Sequence, residues 1–131
     1  MNGSLDTSVL VQLVTVQTPD LAQKATKLVE SSNKQIAIAD MAIIELVFVL
    51  ERVKQLPRSV IRQAIDGLAS MKQFNFNRVM FNQALQIYVD HPALSIQDCC
   101  LSVYATLNNA EPLWTFDKKL ANQVPNAEQV T

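Results

Sequence analysis

The sequence predicts an α/β fold, with parallel strands joined by helical crossovers. Three observations carry that prediction. Short apolar or alternating stretches recur between longer segments with helical spacing, and only two glycines, Gly3 and Gly67, interrupt a chain rich in Ala, Leu, Val and Gln. No internal repeat, low-complexity tract or long linker separates these segments. Strands alternating with helices imply β-α crossovers and helices on both sheet faces.

The elements follow in order. "SLD" closes a first strand, and "TSVLVQLV" then places Val9, Leu10, Leu13 and Val14 at helical spacing. "TPDLAQKATKLVESSN" opens on Pro19 and an acidic first turn, with Leu21, Ala25, Leu28 and Val29 on one face. "QIAIAD" is an apolar run of strand length. Met41 to Lys54 reads as one strongly apolar helix, broken by Pro57. "SVIRQAIDGLASMK" follows, with Ser59 as its cap. "FNF" alternates as a short strand, and "NRVMFNQALQIYVD" offers Val79, Leu85, Ile87 and Tyr88 for packing. "SIQDCCLSVYATLNN" is a helix ending where two asparagines can take the left-handed conformation. "EPLWTFD" supplies a strand, "KKLANQ" a short helix and "AEQV" a last strand.

With 49% hydrophobic and 18% charged residues among 131, the chain is expected to form one domain with a real core. A net charge of −1 argues against a simple basic-patch binder of nucleic acid, though not against an enzyme that reaches phosphate through a metal. No run approaches the roughly 18–20 apolar residues of a membrane span. The N-terminus lacks the cationic start and apolar core of a signal peptide, so a cytoplasmic location away from membranes is expected. Cys99 and Cys100 are adjacent and have no third partner, which leaves them as small side chains of a buried helix. The single histidine, His91, lies in the loop-like "DHPAL". There is no GxxxxGK[ST], no GxGxxG and no GxSxG.

Chemistry therefore rests on carboxylates. Asp6 and Asp117 each stand directly after a strand-like stretch and before a helix, where ligands bind in open α/β sheets. Glu45 lies within the apolar "AIIELVFVL", and Asp98 in the first turns of "SIQDCCLSVYA". Each alone has a plain structural explanation: a helix cap for Asp6 and Asp117, a rim pair with Arg52 for Glu45, a favourable charge near a helix N-terminus for Asp98. Four carboxylates brought close would repel unless a cation sat among them, and oxygen donors of this kind suit Mg²⁺ or Mn²⁺.

The stretches "LDTSVLVQLV", "IADMAIIELVFVLERV" and "SIQDCCLSVYATLNNAEPLWTFDKKLA" resemble the ordered signatures of PIN-domain ribonucleases, in particular the VapC toxins of bacterial and archaeal toxin–antitoxin pairs. The family pattern is Asp-Thr-(Ser/Asn) after the first strand, a helical Glu, an Asp opening a late helix, and a Thr-x-Asp ending a strand. The resemblance implies a three-layer α/β/α sandwich around a central, mainly parallel sheet, as a single domain over residues 1–131. It implies an endoribonuclease dependent on Mg²⁺ or Mn²⁺. Asp6, Asp98 and Asp117 would be metal ligands, direct or through water, and Glu45 would complete the acidic pocket. Thr7, Ser8 and Thr115 occupy the hydroxyl positions of the motifs, as supports of the carboxylates or as ordinary helix caps. Two departures stand out. "MNGS" is polar where the family carries an apolar first strand, and "NNAE" replaces a glycine before the late strand.

RNA as substrate follows from the resemblance, since the basic residues are scattered. Lys118 and Lys119 directly follow Asp117 and are the first candidates for phosphate contact; Arg52, Lys54 and Arg58 are a further set. "MAIIELVFVL" and "RVMFNQALQIYV" carry more large apolar side chains than a lone small domain needs. With the resemblance, this implies a homodimer held inactive by an antitoxin protein. Two rival functions remain: a PIN-like scaffold that binds RNA or protein without catalysis, and a metal-dependent phosphohydrolase of small molecules. For a haloacid-dehalogenase-type enzyme, Ser8 stands where a second Asp is wanted.

Overall fold

The alternation of short strands and longer helices is what forms. A computed structural model describes residues 1–131, and the chain divides into two units, Met1–Asn77 and Arg78–Thr131. In each unit two short parallel strands are joined by helix, as parallel pairing requires.

The first unit opens on an extended stretch. Leu5 N–H donates to Ala37 O (2.9 Å) and Ala37 N–H to Gly3 O (3.0 Å), yet only Ser4 forms a bridge, parallel to Ala37. The predicted strand is reduced to that bridge because Gly3 takes φ +70, a left-handed turn that breaks an extended run. Helix α1 (Thr7–Thr15) buries Thr7, Leu10 and Val11, while Val9, Leu13 and Val14 are half-buried. Helix α2 (Pro19–Glu30) starts at its proline, as expected. Its buried face is Ala22, Ala25 and Val29, whereas Leu21 and Leu28 face solvent. Small side chains at 22 and 25 let α2 lie close against α1, and that approach decides which face turns inward.

Strand β1 (Ile36–Ala37) pairs with β2 (Phe74–Asn75), Ile36 opposite Phe74. Between them the predicted helix over 41–54 appears in two parts, α3 (Asp40–Phe48) and a π-helical turn, Val49–Val53. Ala42, Ile43, Leu46, Val47 and Leu50 are buried. Gln55 then turns left-handed at φ 55, and α4 (Arg58–Ala69) begins after Pro57. Ser59 is therefore inside the first turn instead of capping it. Ile61, Ile65 and Leu68 form the buried face of α4 at i, i+4 and i+7.

In the second unit α5 (Arg78–Asp90) packs on α6 (Ile96–Leu107). Met80, Phe81, Ala84, Leu85 and Tyr88 are buried. Val79 is exposed and Ile87 only half-buried, which corrects two of the four expected packing residues. Leu85 and Tyr88 are buried as expected, and Met80, Phe81 and Ala84 complete the face. Cys99 and Cys100 lie buried in α6 as thiols, and Asn109 ends the segment at φ 51, as two asparagines predict. Strand β3 (Leu113–Thr115) pairs in parallel with β4 (Ala127–Gln129), placing Trp114 opposite Glu128, with α7 (Lys118–Gln123) as the crossover. Ser102 Oγ donates to Asn126 Oδ1 (2.8 Å) and Asn126 Nδ2 to Ser102 O (2.9 Å), tying the start of β4 to α6. No helix is long and apolar enough to cross a membrane.

Candidate active site

Asp6 occupies the position before α1 in extended conformation, φ −77 and ψ 157, but its side chain caps nothing. Instead Ser8 Oγ donates to Asp6 Oδ2 at 2.8 Å. That hydrogen bond is the largest reason its carboxyl lies below the ordinary aspartate range; the Thr7 amide adds to the effect and slight desolvation opposes it. Asp6 is thus an exposed, ionised carboxylate without a capping hydrogen bond deeper into α1.

Glu45 lies at mid-helix in α3 with its carboxylate exposed. The buried Thr7 donates its hydroxyl to Glu45 Oε2 at 3.0 Å, with Ala42 O farther off at 3.4 Å. Consecutive hydroxyls at the start of α1 therefore serve two carboxylates, Ser8 that of Asp6 and Thr7 that of Glu45. Arg52 does not form the rim pair with Glu45: its guanidinium lies 4.8 Å over the Phe48 ring.

In the second unit both aspartates do cap helices. Ser95 Oγ accepts from Asp98 N–H (3.1 Å) and Ser95 N–H donates to Asp98 Oδ2 (3.3 Å), a reciprocal capping box on α6. Asp117 Oδ1 accepts from Lys119 N–H (2.9 Å) and Leu120 N–H (3.3 Å), capping α7. Thr115 Oγ1 accepts from Asp117 N–H at 2.9 Å and so shapes the turn that carries the carboxylate. Among the three hydroxyl residues, Thr115 alone makes no bond to a carboxylate. Ser95 escaped the sequence reading, although a Ser three residues before an acidic residue at a helix start is its signal.

The cations sort by what they touch. Lys118 and Lys119 are exposed on the first turn of α7. Lys54 Nζ donates to Gln17 Oε1 (2.7 Å) and Arg58 pairs with Glu51 (3.2 Å), so both are engaged in the fold. His91 Nδ1 lies 2.9 Å from Gln123 Oε1, tying the loop after α5 to α7.

Carboxylate oxygens are the right donors for Mg²⁺ or Mn²⁺. The structure nevertheless gathers no group of three or more His, Cys, Asp or Glu side chains placed to hold a metal ion. Within each unit the arrangement offers ionised or helix-held carboxylates beside hydroxyls and, after Asp117, two ammonium groups.

The chain matches the family model described as PIN domain over residues 4–124, which takes in all four carboxylates. No curated protein matches the chain.

Proposed function

The chain belongs to the PIN-domain family, a family of nucleic-acid hydrolases in general, and from that premise we propose that it is a metal-dependent endoribonuclease. The observation that carries this reading is the family match over residues 4–124, read together with the ordered carboxylates Asp6, Glu45, Asp98 and Asp117. Those four are proposed to hold Mg²⁺ or Mn²⁺, which would activate water and neutralise charge developing on the phosphodiester. Thr7 and Ser8 orient the carboxylates to which they donate, and Lys118 and Lys119 meet the RNA backbone. The whole chain is proposed to act as a single domain. A toxin of the VapC type, inhibited by an antitoxin, homodimeric and cytoplasmic, is the role that the sequence resemblance supports.

The test is cleavage of a mixed RNA pool by the purified protein with Mg²⁺ or Mn²⁺, with EDTA, and with Asp6→Asn or Asp98→Asn. Asparagine keeps size and hydrogen-bonding shape while removing charge. Cleavage that needs the metal and falls by at least about a hundredfold in either variant is the expected result. The rival reading is a PIN-like scaffold that binds RNA or protein without cleaving. Undiminished RNA binding with no cleavage and no metal uptake would select it.

A further inference from the structure

Two aromatic side chains stand in water at the Thr-x-Asp turn, Trp114 just before it and Phe116 at its middle. Trp114 is 61% and Phe116 80% exposed, the latter above every other large apolar side chain. Leu113 and Thr115 are half-buried, Trp114 stands on the outward side of β3 between them, and Phe116 follows in the bend after the strand. Leaving two aromatic rings in water forgoes a large gain in apolar burial, and such a patch marks an interaction surface.

The same turn supplies charge and rigidity. Thr115 Oγ1 holds the Asp117 amide (2.9 Å) and Asp117 caps α7 (2.9 Å), so rings, carboxylate and the exposed Lys118 and Lys119 ride on one fixed bend. Glu128, opposite Trp114 in register, keeps the ring side unfavourable to phosphate. Bases are thus directed to the aromatic rings and phosphates to the lysines.

We infer that Trp114 and Phe116 form a stacking platform for unpaired bases of single-stranded RNA, whose backbone is met by Lys118 and Lys119. Stacking is tolerant of sequence because every base has a π face, and duplex RNA hides those faces. Aromatic rings suit protein–protein interfaces as well as bases, but lysine is depleted from such interfaces, so the two ammonium groups beside the rings favour a polyanion over a second copy. The inference deepens the ribonuclease reading and rests on it for the choice of RNA.

Trp114 is the only tryptophan in the chain, so intrinsic fluorescence reports on the platform directly. The experiment titrates 12-nucleotide single-stranded RNA into the whole protein in EDTA, where cleavage plays no part. Quenching by the single strand, little by the matching duplex, and about 5- to 150-fold weaker binding in Phe116→Ala but near-normal binding in Phe116→Tyr, are expected. Circular dichroism of the variants checks that the exposed change leaves the fold intact. RNA-dependent quenching in a protein that never cleaves upholds the platform and overturns the nuclease reading. Cleavage without quenching, and with an unchanged KM in Phe116→Ala, overturns the platform alone. Emission that shifts with protein concentration, together with dimer loss in Phe116→Ala and no response to RNA, overturns it in favour of a second copy of the chain.

Discussion

Asparagine separates the two jobs an aspartate at a helix start can do, because it caps as well as aspartate but carries no charge. Asp117→Asn is therefore expected to leave thermal stability almost unchanged, whereas Asp117→Ala removes the acceptor for Lys119 and Leu120 and costs about 1 kcal/mol. Cleavage assays on both should show equal loss if the charge matters for chemistry. Asp6 differs, since it caps nothing. Its carboxyl is held below the ordinary range chiefly by Ser8, so Ser8→Ala is expected to raise its pKa toward that range, read by carboxyl NMR titration. The sign is that of a depressed acid. What the Ser8 bond contributes to stability is present at neutral pH and is lost as pH falls through the folded-state pKa. A titration unchanged by Ser8→Ala would show that the hydroxyl is not the cause. At this scale the four carboxylates were legible in the sequence as motif positions. The Thr7–Glu45 bond was not, because it depends on how α1 meets α3, whereas the partners of Asp6, Asp98 and Asp117 lie within three residues of them.

Capping and packing at the level of elements make two further expectations. Ser95→Ala removes the acceptor for the Asp98 amide while the backbone N–H at 95 still reaches the Asp98 carboxylate, and is expected to lower stability by about 1 kcal/mol in denaturant unfolding. Leu50, fully buried in the π-helical turn, should cost roughly 2–5 kcal/mol as Leu50→Ala. A loss under 1 kcal/mol would mean that the turn relaxes to fill the space. Helix positions followed from apolar periodicity, and Pro19, Pro57 and Asn109 marked starts and stops as their backbone preferences dictate. Which face turned inward did not follow. In α2 the leucines look like the core by hydropathy, yet the alanines are buried because their small side chains let the helix lie close against α1. The π-helical turn at Val49–Val53 leaves no mark in hydrophobic spacing, since "MAIIELVFVL" is apolar on nearly every side and has no narrow stripe to be displaced.

For the whole molecule, a net charge of −1 provides no long-range attraction to RNA. Binding should therefore depend on the few cations near Asp117. With two phosphate contacts at Lys118 and Lys119, the logarithm of affinity is expected to fall with that of salt at a slope of about −1.4. Fluorescence titration at several salt concentrations measures it, and a slope several times steeper would mean that many more basic residues take part. The sequence by itself determined the α/β class, the parallel crossovers, the helix boundaries set by proline and asparagine, and the four acidic positions. These depend on local backbone preference and on spacing along one chain, which a sequence carries directly. Only the tertiary structure decided that Thr7 serves Glu45 on another helix, that the alanines of α2 are buried in place of its leucines, and that Trp114 and Phe116 remain in water. Each of those depends on what arrives from elsewhere in the chain to meet a hydroxyl or cover a side chain, and no local preference encodes that.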